Sequence, residues 1–160
     1  MFTHTKYILA SSSKSRFSIL TNSGFNFKQV KPTCSEEKIK IKIKSSHPSY
    51  IAKTLSFEKA KSISETKKYY NNTVIGCDTL VCLNDQIFDK AKNMKEAHIK
   101  IKKLSGKTHT IVSGLTVCVG GIKIWQCSEA SKVTIRKLNN DQIEKYLRRT
   151  GPQILDSVGC

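Results

Sequence analysis

Nowhere does the 160-residue sequence gather the roughly 18 consecutive apolar residues that a membrane-spanning helix needs. Met1 to Lys6 carries no apolar signal core, so no membrane partner is expected and the cytoplasm is the expected compartment. Arginine is scarce as well. Of 28 basic residues, only Arg16, Arg136, Arg148 and Arg149 are not lysine. A surface dedicated to nucleic acid relies on arginine for bidentate contacts and interleaves aromatics for stacking. The formal charge of +16 therefore does not by itself mark a nucleic-acid protein. The lysines accompany abundant Ile, Ser and Asn, the composition that A- and T-rich codons produce. Such a field still attracts polyanions, so a basic nucleic-acid-binding protein is the alternative reading.

No two of the six cysteines form a CxxC pair, and none lies beside a histidine at zinc-ligand spacing. Most fall in apolar stretches, where a reduced thiol behaves as a small hydrophobe, so buried free thiols are expected. GxxxxGK[ST] and GxGxxG are both missing after the first apolar strand, which removes P-loop and Rossmann readings. What is present is one domain's length of chain, 38% hydrophobic and evenly distributed, enough to bury a core.

Residues 6–12 read as a short buried strand running into a serine cluster. Ser13 is placed to cap a helix carrying Phe17 and Leu20 on one face, with Gly24 at its stop. A strand, polar turn and helix N-terminus present free N–H groups to an anion. Phe25–Val30 alternates as a second strand. Lys38–Lys44 alternates lysine with isoleucine, which suits either an edge strand or a solvated loop. Pro48 opens a helix reaching about Lys68. Thr73–Leu83 is the strongest strand, with Gln86–Phe88 as a hairpin arm. Asn93 and Glu96 form a capping pattern for a helix with Met94, Ala97, Ile101 and Leu104 inward. Three strands follow, at Thr108–Val119, Ile122–Cys127 and Lys132–Leu138, the first two joined by a Gly120-Gly121 turn. A helix from about Asp141 to Arg149 comes last. Strands intermixed with helices predict one α/β domain with a mixed sheet.

Asp78 lies between Val74-Ile75-Gly76-Cys77 and Thr79-Leu80-Val81-Cys82. A carboxylate there is desolvated unless paired or bound to a cation. Either it serves a ligand, with Gly76 leaving room for the approach, or it caps a strand end or pairs with a lysine. Lys59 on the long helix and Lys90 across the hairpin are basic candidates beside it. Glu36 and Glu37 form the only adjacent acidic pair before it and offer oxygen ligands for Mg2+. His109 is either catalytic or a hydrogen-bonded structural histidine.

The order of motifs resembles the Maf family across nearly all of the chain. Leu9-Ala10-Ser11-Ser12-Ser13-Lys14-Ser15-Arg16 matches its opening signature. Ser35-Glu36-Glu37, Phe57-Glu58-Lys59-Ala60, Val74-Ile75-Gly76-Cys77-Asp78-Thr79 and Phe88-Asp89-Lys90 follow in register. Leu104-Ser105-Gly106-Lys107-Thr108-His109 and Tyr146-Leu147-Arg148-Arg149-Thr150-Gly151 complete the set. The resemblance implies a two-lobed α/β fold, its elongated mixed sheet flanked by helices, related to the inosine triphosphate pyrophosphatases. It implies hydrolysis of a nucleoside triphosphate to monophosphate and pyrophosphate, with Mg2+ or Mn2+ as cofactor. Its members are linked to nucleotide house-cleaning, septum formation and cell-division arrest, and it allows a homodimer.

Residue by residue, the resemblance makes Asp78 the catalytic acid and, with Glu36 (or Glu37), the metal site. Ser11, Arg16, Lys59 and Lys90 fall at phosphate-binding positions, and Ser15 and Thr79 at specificity positions. The family's Pro-Arg-Arg is Lys14-Ser15-Arg16 here, and Ala91 stands where proline is common. Thr79 resembles the pyrimidine-triphosphate branch, whereas Ser157-Val158-Gly159-Cys160 resembles the modified-guanosine branch, so the base is unassigned. Family members continue beyond Gly159 with a strand and a helix. The chain is therefore expected to be a single Maf-like domain lacking them, with lowered stability and reduced or lost activity, an inactive relic at the extreme.

Overall fold

The computed structural model describes residues 6–43, 46–84 and 86–158. Lys44, Gly159 and Cys160, which the sequence reading touched, lie outside the described residues. The elements in order are β1 (Tyr7–Ala10), α1 (Lys14–Asn22), β2 (Phe27–Val30), α2 (Glu36–Lys42), α3 (Pro48–Ser64), β3 (Thr73–Leu83), β4 (Gln86–Phe88), α4 (Met94–Leu104), β5 (Thr108–Val119), β6 (Ile122–Thr134) and α5 (Asn140–Thr150). A 3-10 helix, Gly151–Asp156, follows. The sheet runs β2-β1-β3-β5-β6, and β4 pairs antiparallel with β3. β1 is parallel to both β2 and β3, with Ala10 opposite Val30 on one side and Gly76 on the other. This is the mixed α/β sheet that the sequence implies. The chain divides into two compact units: Met1–Asp78 with Ser113–Glu129, and Thr79–Val112 with Ala130–Cys160.

In the first unit, Ile8, Ala10, Ala60, Ile63, Val74 and Cys118 form the core beneath α3. Pro48 starts α3 and the His47 imidazole caps it by accepting from the Ser49 N–H. The helix stops at Ser64 rather than near Lys68: the Thr66 N–H donates to the Ile63 carbonyl, three residues back instead of four, at 3.1 Å, and the Thr66 hydroxyl donates to the same carbonyl at 2.7 Å. Gly76 does not open a path for a ligand, as its sequence position invites. A Cβ there would lie 2.1 Å from the Ser56 carbonyl oxygen, so its bareness lets α3 pack directly on β3.

Two local expectations are overturned in the same unit. Lys38–Lys42 of the Lys–Ile alternation lie in helix α2, neither strand nor loop, and Ile43 caps its end. Glu36 and Glu37 occupy its first turn, and Lys40 and Lys42 its last, so segregated charge complements the helix dipole. With Ile41 exposed, a period-2 pattern had no buried sheet face to satisfy. Ser13 caps α1 as expected, but no residue of α1 is buried. Phe17 instead rests edge-on against Phe27, their centroids 5.2 Å apart.

In the second unit, Ala97, Ile101, Ile143, Leu147 and Ile154 join α4, α5 and the 3-10 helix. Val81, Phe88 and Leu104 make a separate cluster. Asn93 accepts from the Glu96 N–H, and Asn139 forms a complete capping box with Gln142. The strands expected at Ile122–Cys127 and Lys132–Leu138 merge into one, and Ile135–Leu138 is not strand: β6 ends at Thr134, and its residues up to Glu129 belong to the first unit. Its place at the end of the sheet order leaves it largely exposed, so the polar Ser128–Ser131 stretch continues the strand instead of breaking it. Gly120 and Gly121, with φ of 56° and 77°, make the turn that the glycine pair announces.

Candidate active site

β1 ends one residue before Ser11, whose own N–H donates to the Val30 carbonyl at 3.0 Å. That bond fixes a buried hydroxyl at the mouth of the serine turn. The Ser11 hydroxyl oxygen accepts from the Ser13 N–H at 3.1 Å and from Arg16 Nη1 at 3.4 Å. Ser13 in turn accepts from the Arg16 N–H and shares a 2.9 Å hydrogen bond with the Ser15 hydroxyl. The first turn of α1 therefore holds Arg16 against the C-terminal end of β1. Cys77 faces the same guanidinium: burial pushes its thiol up, while the charge and a hydrogen bond of Arg16 act against that rise.

Asp78 is carried by β3 and is only 6% exposed. Lys59, equally buried on α3, donates to Asp78 Oδ1 at 2.6 Å. The same ammonium lies 3.1 Å from Glu36 Oε1, at the start of α2. A strand, a long helix and a short helix thus deliver two carboxylates to one lysine. Burial raises the Asp78 pKa above its ordinary 3.8; the Lys59 charge and hydrogen bond oppose the rise, Glu36 adds to it, and Arg16 lowers it.

The arrangement can hold a cation and bind phosphate. Lys59 already neutralises the space between two hard oxygen donors. Among the described residues, no group of three or more His, Cys, Asp or Glu gathers as a metal cage. Two carboxylates suit Mg2+, which usually keeps waters and takes one or two carboxylates together with substrate phosphates. The donor set therefore fits such an ion.

Ser11, Arg16, Glu36, Lys59 and Asp78 come together in one unit, and Ser15 joins them through Ser13. Of the acidic pair, Glu36 makes the contact to Lys59 and Glu37 is exposed on α2. Thr79, half-buried, and Lys90, exposed after β4, belong to the other unit. So does His109, buried on β5 with Nδ1 lacking a partner among the described atoms. Burial, then the nearby Lys100, lowers its pKa, which favours the neutral ring. Sequence reasoning passed over Lys100, one of four buried residues of α4. Its spacing three residues after Ala97 and four before Leu104 was the available signal.

The Maf-like protein family matches residues 6–160. The 7-methyl-GTP pyrophosphatase of Bartonella henselae is 35% identical over 152 residues, covering 95% of this chain and 76% of that protein. The nucleoside triphosphate pyrophosphatase of Caulobacter vibrioides is 33% identical, covering 98% of this chain and 78% of that protein. The dTTP/UTP pyrophosphatase of a Thermoanaerobacter species is 34% identical, covering 89% and 72%. A solved structure of a HAM1 protein from Coxiella burnetii aligns with a TM-score of 0.51 at 9% identity, covering 81% of this chain and 72% of that one. That likeness is one of fold.

Proposed function

Because the chain belongs to the Maf-like protein family, we propose that it is a nucleoside triphosphate pyrophosphatase, releasing pyrophosphate and a nucleoside monophosphate. The observation that carries this reading is the bridge from Asp78 through Lys59 to Glu36, two buried charges and an exposed carboxylate converging beside the Ser11–Arg16 turn. Structure alone rarely retains such a cluster, because desolvating charges opposes folding.

Asp78 is the general base. Burial brings its pKa up toward the working pH, and a base is most effective there. Lys59 orients this carboxylate and opposes the negative charge that grows on the departing pyrophosphate. Arg16 and Lys90 supply further positive charge for the phosphates. The Ser11 oxygen already accepts two hydrogen bonds, which leaves its O–H to donate to a phosphate oxygen. Asp78 and Glu36 would hold Mg2+ or Mn2+, which supplies Lewis-acid polarisation and a more acidic bound water. Ser15 and Thr79 are the candidates for selecting the base. The cytoplasm, home of the nucleotide pool, is the compartment, and a homodimer is compatible with this reading.

The test is release of inorganic pyrophosphate from a panel holding dTTP, UTP, GTP and 7-methyl-GTP with Mg2+ or Mn2+. Turnover of at least one is expected. No release from any of them, by a folded protein, contradicts the proposal.

The pH dependence follows from the site. Protonated Asp78 is no base, so kcat/KM should fall on the acid limb as that carboxylate takes up a proton. Lys59→Met removes the largest effect holding that pKa down, so the limb of the residual activity should move further up. A limb that stays put or moves down contradicts the role given to Lys59. The same raised pKa sets the sign for stability. The contribution of Asp78 to folding is fullest below its ordinary value and fades as pH rises through the folded one.

A further inference from the structure

α4 turns Ala97, Lys100, Ile101 and Leu104 inward. Three of these are the small or apolar residues such a face requires; the fourth is a lysine. Burying an ammonium opposes folding unless hydrogen bonds replace its lost water. Lys100 Nζ donates to the Asp89 carbonyl at 3.1 Å and also to the Val158 carbonyl. Both acceptors are backbone groups of irregular segments, and Asp89 immediately precedes Lys90.

The rest of that segment is tethered too. Phe88 before it is buried against Val81 and Leu104. After it, the Lys92 N–H donates to Glu96 Oε2 at 2.9 Å, and Asn93 caps α4. Only Lys90 and Ala91 lie between the fixed Asp89 carbonyl and the fixed Lys92 N–H. Lys90 and Lys100 line the same cavity of about 320 Å³, together with Asp89, Glu96 and Lys103.

We propose that Lys100 is a positioning residue for Lys90: its buried ammonium grips the Asp89 and Val158 carbonyls and so fixes the short segment from which Lys90 reaches the substrate's phosphates. This rests on the pyrophosphatase reading above. Lys100 touches no substrate. It reduces the conformations open to Lys90 before the nucleotide arrives, as preorganised catalytic groups require. The C-terminal segment at Val158 becomes part of the support through the second carbonyl.

The experiment compares wild type, Lys100→Met, Lys90→Ala and the double variant by pyrophosphate release, alongside amide hydrogen exchange of residues 89–92. Methionine keeps the length and apolar stem of lysine and deletes the ammonium. Lys100→Met should lower kcat/KM about 10- to 100-fold, the scale for a misplaced catalytic group. It should speed exchange at 90–92, and it should add little in the Lys90→Ala background, because a residue acting through another loses its effect once that other is gone. Should Lys100→Met fail to fold, Lys100→Gln keeps an uncharged NH2 donor group and should fall between it and wild type in both readouts. Unchanged exchange at 90–92, or an effect on kcat/KM as large without Lys90 as with it, overturns the inference. If Lys90→Ala itself leaves turnover intact while Asp78→Asn removes it, the phosphate role of Lys90 fails and this inference with it. If Lys90→Ala is impaired and Lys100→Met is not, Lys100 alone is misassigned.

Discussion

Asp78→Asn should lower pyrophosphate release by about 10²- to 10⁴-fold, the range that a general base contributes, while the protein stays folded. Asparagine fills the same volume and keeps a carbonyl oxygen that can accept from Lys59 in place of Oδ1, 2.6 Å away in the native site. What it lacks is the capacity to take a proton and the charge to share a cation with Glu36. Folding should be little affected at neutral pH. Asparagine still offers Lys59 an acceptor, and Glu36 Oε1 stays 3.1 Å from the ammonium, so the buried cation keeps one charged partner. The variant should melt within a few degrees of wild type, and its residual activity should lose the acid limb assigned to Asp78. Full turnover would dismiss Asp78 as the reactive carboxylate. Loss of activity accompanied by unfolding would mean that Asp78 serves structure first.

Gly114→Ala is the second large effect, and it acts on stability. An added Cβ would sit 2.3 Å from the Ala52 carbonyl oxygen and 2.4 Å from its carbon, and both atoms belong to the backbone of α3. No rotamer can relieve that overlap; α3 must move off the sheet. Gly76 presents the same obstacle one strand away, with the Ser56 carbonyl oxygen at 2.1 Å. Movement of α3 would disturb the Ser56–Thr116 hydroxyl pair at 2.7 Å and would carry Lys59 away from Asp78. A loss above about 4 kcal/mol is expected, enough to unfold a protein of ordinary marginal stability. Gly24→Ala is the control. Gly24 has φ of 77° with open space around it, so alanine there meets only backbone strain of roughly 1 kcal/mol. If Gly114→Ala melts no lower than Gly24→Ala, close packing of α3 does not hold this unit together.

The sequence was most legible where chemistry and local geometry coincide. Ser13 and Asn93 are caps because short polar side chains reach N–H groups two or three residues on, and both do so. Asp78 stood out because a carboxylate in an apolar strand demands a partner, and Lys59 supplies one. In that respect the two readings of Asp78 meet, since the lysine pairing belongs to the candidate site itself. Failures came where tertiary surroundings decide. The Lys38–Lys44 alternation fits strand and helix alike until charge placement and exposure are known. Ser128–Ser131 looked like a break because a paired inner strand would exclude it, whereas β6 ends the sheet order. Gly76 was read for what might approach it, and α3 is what does. Lys100 was hidden by composition: among so many lysines, a single buried one has no local mark beyond its place in the helical period.

The parallel pairing of β1 with β3 has a consequence for how the enzyme comes into being. Ser11 and Arg16 follow β1, Asp78 lies midway along β3 just past the stretch paired with β1, and the whole of α1, β2, α2 and α3 intervenes between the two strands. Antiparallel neighbours can zip from a turn, but these strands meet only after a long stretch of chain has been closed into a loop, a slow step with nothing local to guide it. A nascent or partly collapsed chain therefore holds the serine turn and the aspartate without any geometry linking them. Activity should emerge all at once on refolding, in step with burial of β3 and never ahead of it.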